Sequence, residues 1–402
     1  MTDSLVASGE ARKTLAIARL ADVETIVLRV PGGDPNDLDG SSETVVVRVV
    51  DEDGVVGVGE ADAPAEAIRH LVEMPDIHAL SRGLRGMLVG RDPFEIGALH
   101  DALYAETIYH GRRGIGIHAL SAVDIALHDL VGKQLGRPVY QLLGGARRAA
   151  IRPYGTIYAG PVGDRTVSEV VGDLVARCQC ALALGFRAVK VETLFEGRAS
   201  RPELVEAIRE CRNELGPHVT MMLDFGYLWH DWREALWVLR RVEDCDIFFA
   251  EATLQHDDLA GHAKLAERVE MRVGGAEFAA TVFECREWLE RGGVDVLQPD
   301  VNRCGGLTEL RRIAELASHH GAVVIPHGWK TGITACAARH FQAATVNAPY
   351  VEMFHPELFE SPLRAELTAP EPPIVDGLIA LPTQPGLGIE LDDDAIARYR
   401  VD

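Results

Sequence analysis

Five short apolar runs in the second half of this 402-residue chain each end in a residue able to bind a cation or carry a proton. TMMLD stops at Asp224, DIFFAE at Glu251, MRVGGAE at Glu277, VDVLQPD at Asp300 and AVVIPH at His327, with gaps of 27, 26, 23 and 27 residues. Three carboxylates drawn together would repel strongly unless a cation compensated them. Asp224, Glu251 and Glu277 offer only oxygen donors, a set that suits a hard ion such as Mg²⁺ better than zinc. Any one of these acids alone would read as a cap on the helix after its strand, but three in register argue for a common task. Asp300 and His327 end the next two runs and should be neighbours. A carboxylate bonded to one ring nitrogen fixes the tautomer of a histidine and raises the basicity of the other nitrogen. Together they form a general base beside a metal site.

Gaps of this length hold one strand, one helix and two loops. The intervening segments, such as WREALWVLRRVE and LTELRRIAELASHHG, carry apolar residues at helical spacing. Strands alternating with such helices imply parallel βαβ units. In a closed barrel of these units the strand ends converge on one mouth, where active sites form. RPYGTI at 152–157 and RAVKVE at 187–192 supply strands one and two, the five runs supply three to seven, and PYVEMF at 349–354 supplies eight. The first third reads differently. Val23–Val30 is a strand, 31–42 a Gly/Pro-rich loop, and TVVVRVVDEDGVVGVGEA a hairpin, followed by helical patterns to about residue 130. Residues 1–18 read as a frayed start. The expected organisation is an α+β capping domain at 1–145, a modified (β/α)₈ barrel at 146–360, and a Pro-rich tail at 361–402 that packs back on the cap.

A formal net charge of −21 argues against nucleic acid or an anionic membrane as a partner, and 47% apolar residues support a large core. No charge-free stretch of about 18 apolar residues stands out as a membrane span. Seven cysteines without paired CxxC motifs read as reduced thiols of a cytoplasmic protein.

The ordered series Asp224, Glu251, Glu277, Asp300 and His327 resembles the enolase superfamily, specifically its mandelate racemase subgroup. The resemblance spans nearly the whole chain and implies a (β/α)₇β-type barrel under an N-terminal cap. It implies that the three acids bind Mg²⁺, that Asp300 and His327 form the catalytic dyad, and that Glu352 in YVEMF hydrogen-bonds a substrate carboxylate. It also implies a homo-oligomer. Many members end strand two in Lys-x-Lys, the second lysine being a base on the opposite face of the substrate. Here that strand reads Lys190-Val191-Glu192. Lys190 matches the lysine that helps neutralise the substrate carboxylate, and Glu192 stands where the second base would be.

This constellation suits removal of the proton next to a carboxylate. With one base, elimination of a β-hydroxyl from a sugar acid follows naturally, giving a 2-keto-3-deoxy acid: a hydro-lyase reaction. An alternative is a racemase or epimerase in which Glu192 supplies the second base, and another is a non-catalytic metal-binding relative. A carboxylate at 192 starts from a pKa of about 4.3, and Lys190, on the same face of the strand, is expected to lower it further. Candidate substrate contacts are Trp329 and Lys330 in HGWKTG, Tyr154, and the 31–42 loop; Arg112 and Arg113 could approach from the cap.

Overall fold

A computed structural model describes residues 18–32 and 40–401. The expected frayed start falls outside the described residues apart from residue 18, as does most of the 31–42 loop. The cap opens with β1 (Leu20–Arg29), β2 (Glu43–Asp51) and β3 (Val56–Ala61), an antiparallel sheet in sequential order. Its inner face packs on the helix Ile115–Leu135, which has the length and apolarity of a membrane span. That resemblance comes from core packing, since 89% of its most apolar window is buried. Contact is close because Gly57 and Gly59 face the helix: a Cβ on Gly59 would lie 1.9 Å from the Ala122 carbonyl oxygen. The buried carboxylate of Asp129 ties the same helix to two other parts of the chain. It accepts from the Val58 N–H at 2.9 Å in the cap and from the Leu387 N–H at 2.7 Å in the tail.

After β4 (Ala150–Ile151) come eight parallel strands: β5 (Pro153–Ile157), β6 (Ala188–Glu192), β7 (Thr220–Asp224), β8 (Ile247–Glu251), β9 (Arg272–Gly275), β10 (Val296–Leu297), β11 (Val323–Val324) and β12 (Val351–Met353). The sheet runs from β11 back to β5 and then to β12, with a helix in each of the seven connections, so the architecture is (β/α)₇β. β11 and β12 are joined at the base by Val324 N–H to Asn347 O at 2.9 Å, and at the mouth by Gly328 N–H to Glu352 Oε2 at 2.8 Å. Inward residues of period two fill the barrel below the mouth. Tyr154, Ala188, Met222, Phe249, Val296, Ile325 and Tyr350 form this separate apolar floor. The tail forms β13 (Ile379–Ala380), antiparallel to β4, and ends at the cap, where the Val401 N–H donates to Val27 O at 2.9 Å.

The paired strands are shorter than the apolar runs suggest. Asp224 and Glu251 are the last residues of β7 and β8. Glu277, Asp300 and His327 instead lie beyond the last residues of β9, β10 and β11, which are Gly275, Leu297 and Val324. Single bonds continue the ladder there, from Gln298 N–H to Gly275 O at 2.8 Å and from Ile325 N–H to Leu297 O at 2.9 Å.

Candidate active site

In-register pairing brings the acids together. Asp224 is opposite Glu192 on one side and Glu251 on the other. Above the floor, Lys190 is buried at 1% exposure among carboxylates. Its ammonium lies 2.9 Å from Glu251 Oε2, 2.9 Å from Glu352 Oε1 and 3.1 Å from Asp224 Oδ2. Burial opposes its charge, but Glu251 and Glu352 outweigh burial and hold its pKa well above the ordinary lysine value. Glu352 also accepts from Thr156 Oγ1 at 2.5 Å. Burial raises its carboxyl, yet Lys190 and then His327 bring it down to about 2. Glu251 is pushed up to about 8 by burial, against the pull of Lys190. Its Oε1 atom is buried without a hydrogen-bond partner.

His327 is placed as the sequence leads one to expect. Its Nδ1 lies 2.6 Å from Oδ2 of Asp300, a fully buried carboxylate whose Oδ1 accepts the Asn302 N–H at 2.7 Å. With Nδ1–H donating to Asp300, Nε2 is turned toward Glu277 Oε2 at 3.2 Å. Burial disfavours the imidazolium, but Glu277 and the Asp300 bond raise its pKa to about 9. Glu277 in turn accepts from the Tyr227 hydroxyl at 2.7 Å. Ala276 (φ 84°), Tyr227 (φ 60°) and Ala252 (φ 48°), all at the mouth, have left-handed backbone, a strain that concentrates at functional sites.

A cavity of about 370 Å³ opens over these groups. Glu192, Asp224, Glu277 and His327 line it from the barrel, Asp62 and Gly40 from the cap, and Trp329, Tyr158, Tyr227 and Phe278 form aromatic walls. Lys190, Glu251, Glu352 and Asp300 lie beneath this lining. Among the described residues, no group of three or more carboxylates, histidines or cysteines is close enough to hold a metal ion. Asp224 and Glu251 share Lys190, while Glu277 is turned to His327. The oxygen-only donor set and the unpartnered Glu251 Oε1 nonetheless fit a hard divalent cation, which would offset the repulsion among these acids.

Several expectations need correction. The Glu192 carboxyl is raised well above the usual range, not lowered, because burial and then repulsion from Asp224 exceed the pull of Lys190. Lys330 faces the cap, donating to Gly40 O at 2.5 Å and Glu43 O at 2.9 Å and pairing with Asp62 at 3.1 Å. Tyr154 is in the floor, its ring 5.9 Å from the Lys190 ammonium, and is outside the cavity lining. Trp329 does line the cavity, stacked on Phe354 with centroids 4.0 Å apart. Arg112 bonds to Tyr104 O at 2.8 Å within the cap, and Arg113 lies 3.5 Å from Glu284 on a barrel helix, so neither lines the cavity and Arg113 ties the cap to the barrel. Among the cavity residues not singled out above are Asp62, Tyr227 and Arg303. Tyr227 and Arg303 follow Asp224 and Asp300 in the loops beyond the strand ends, which is the available signal. Asp62 has none until the cap is docked.

Two family models match the chain. Residues 39–144 match the mandelate racemase/muconate lactonizing enzyme N-terminal domain, and residues 173–395 match the enolase C-terminal domain-like family. The chain belongs to this family. The chain is 33% identical over 368 residues to an L-rhamnonate dehydratase of Saccharopolyspora erythraea, covering 89% of this chain and 86% of that one. It is 32% identical over 360 residues to an arabinonate dehydratase of Saccharolobus solfataricus, covering 89% and 91%. Both relatives are hydro-lyases by name, and the protein is an enzyme. Among solved enolase-like structures, one carrying the provisional description of a racemase superposes with a TM-score of 0.90 at 44% identity, covering 96% of this chain and 99% of that one. A racemase from Streptomyces coelicolor with bound magnesium superposes with a TM-score of 0.80 at 27% identity, covering 95% and 100%.

Proposed function

We propose that the protein dehydrates a sugar acid, removing the proton α to the carboxylate and expelling the β-hydroxyl to give a 2-keto-3-deoxy acid. The observation that carries this reading is the posture of His327, with Nδ1 bound to a fully buried carboxylate and Nε2 turned to the cavity. The dehydratase relatives support it. Asp224, Glu251 and Glu277 would hold Mg²⁺, with Glu277 turning from His327 to join the other two. That ion would supply positive charge against the substrate carboxylate as the enediolate develops.

The chain's own groups do the rest. His327 Nε2 accepts the α-proton, and Asp300 stabilises the resulting imidazolium. Glu277 is the first of the groups that raise His327, so a cation drawing on the Glu277 carboxylate would bring His327 back toward its ordinary range. Lys190, beneath the cavity and held by Glu352 at 2.9 Å, supplies positive charge toward the carboxylate end of the substrate. The imidazolium returns its proton to the departing hydroxide on the same face. One C–H and one C–O bond break, water leaves, and the enol product ketonises. Glu192 faces the cavity where a second base would stand and can hydrogen-bond a substrate hydroxyl.

The test is incubation with Mg²⁺ and a panel of sugar acids, read by 2-keto acid formation, for the native protein and for His327→Asn. We expect turnover and exchange of the α-proton with deuterated solvent in the native protein, and neither in the variant. Undiminished turnover by His327→Asn would sink the assignment. A racemase or epimerase is the second reading, favoured by the 44%-identical structure and by the exposure of Glu192 to the cavity. Solvent exchange with inversion and without loss of water would select it.

A further inference from the structure

We infer that Arg303, aimed by Asp62, reads the end of the substrate farthest from the reacting carbon, and that this end carries a second carboxylate. The substrate class is then the sugar diacids, in preference to sugar acids ending in a neutral hydroxymethyl group. The inference rests on the dehydratase reading above. It begins with the direction of the cavity, where the charged groups that would meet the reacting carboxylate lie at the barrel mouth and Asp62 and Gly40 close the opposite side from the cap. A substrate seated with its reacting end on the barrel therefore presents its other end to the cap.

Two cations reach that side, and their donors are differently committed. The three N–H groups of Lys330 have three acceptors: Asp62 at 3.1 Å, Gly40 O at 2.5 Å and Glu43 O at 2.9 Å. No N–H of Lys330 is left for a ligand. Arg303 gives Nε to Asp62 Oδ2 at 2.9 Å, and Nη2 to the same oxygen. Among the described residues, its Nη1 has a single contact, 3.5 Å from Glu277 O, at the limit of a hydrogen bond. The guanidinium lies 4.5 Å over the Phe278 ring, and both residues line the cavity. The fork is therefore oriented by Asp62 and Phe278 while one of its nitrogens stays nearly free.

The local charge decides what that nitrogen meets. Among the described residues, Lys330 and Arg303 share one carboxylate of the cap, Asp62. His118 packs against the same pair and adds no charge at neutral pH, because burial and then Arg303 bring it down to about 4. Asp300 and Glu277 attract Arg303 from the barrel side. A substrate hydroxyl would meet the guanidinium as a neutral acceptor. A carboxylate would meet it with both partners ionised, in the stronger kind of bond.

The experiment compares matched pairs of sugar acids, identical in configuration and differing only in a terminal carboxylate or hydroxymethyl group. With Mg²⁺ present, kcat/KM and the thermal-shift affinity are measured for the native protein and for Arg303→Gln and Arg303→Lys. We expect the native protein to favour the diacid of a pair by about tenfold or more in both measurements. Arg303→Gln should lower that ratio about tenfold, chiefly through KM. Arg303→Lys, which keeps the charge and loses the fork, should retain part of it. Equal or better binding of the hydroxymethyl partner by the native protein overturns the inference and leaves the dehydratase reading intact. A preference that survives Arg303→Gln overturns it as well. Preferential binding of diacids without any 2-keto acid formed supports it, and sinks the dehydratase reading instead.

Discussion

Asp300 offers a severe test of the proposed base, because it is buried, bonded at both oxygens and is not a proposed metal ligand. Replacing it with Asn preserves shape but not bonding. The backbone N–H of Asn302 requires an acceptor at one atom, at 2.7 Å, and the imidazole Nδ1–H requires one at the other, at 2.6 Å. An amide has one oxygen. If that oxygen serves Asn302, its NH₂ group faces Nδ1 and forces the ring proton onto Nε2, the atom that must accept the substrate proton. If it serves His327, a donor is set against the Asn302 N–H in a fully buried position. Loss of the charge-assisted bond alone costs roughly 1.5–3 kcal/mol, which is about 10- to 150-fold in rate. The wrong tautomer adds to that, and we expect a total fall of about 10³-fold in kcat for Asp300→Asn. Deuterium exchange at the α-carbon, 2-keto acid formation and the ¹⁵N shifts of His327 should report the change together. A variant that keeps kcat within threefold while holding the Nε2–H tautomer would refute the role of His327 Nε2 as the base.

Three further outcomes are expected. Glu251→Ala should remain folded but lose most Mg²⁺ affinity by calorimetric titration; full activity of this variant after exhaustive chelation would rule out the metal assignment. Gly59→Ala places a Cβ 1.9 Å from the Ala122 carbonyl oxygen and should cost about 3 kcal/mol by overpacking, seen as a lower urea midpoint; an unchanged midpoint would mean that β3 and the long helix can separate freely. His340 is buried, accepting from the Tyr140 N–H at Nδ1 and bonded to Leu387 O through Nε2. Burial lowers its pKa from 6.5 to about 4, so its stabilising contribution is complete above pH 6.5 and is lost as pH falls toward 4. The gap is worth ~3 kcal/mol; urea unfolding of His340→Gln should show a correspondingly flatter dependence between these pH values, and an unchanged dependence would refute the assignment.

The barrel and its central residues are legible in the sequence because parallel strands with helical returns repeat in length, so equal spacing becomes adjacency in space. Asp224, Glu251, Glu277, Asp300 and His327 are visible for this reason. The cap side of the site is not. Arg303 and Asp62 bond across 241 positions of sequence, and nothing local marks either one. Lys330 shows the same limit: its place in HGWKTG suggests the cavity, while the docked cap supplies three oxygen acceptors around it. Glu192 shows a different one. The sign of its shift depends on how much water burial removes relative to one nearby ammonium, and sequence spacing reports only the ammonium. The helix Ile115–Leu135 is apolar nearly all round because it is packed on several sides, a property that composition alone does not distinguish from contact with lipid.

The bond from the Val401 N–H to Val27 O has a consequence for the order in which the molecule is made. β1 precedes the other described strands as the chain leaves the ribosome, yet its neighbour along this edge, Val401, is translated only after the whole barrel. Throughout synthesis of the intervening chain, that stretch of β1 has an open backbone. The barrel can close once β12 has emerged, whereas this edge of the cap must wait for Val401. A stall or premature stop between β12 and Val401 would therefore yield a closed barrel bearing an unfinished cap, with Asp62 and Lys330 already in place but the outer edge exposed to other nascent chains.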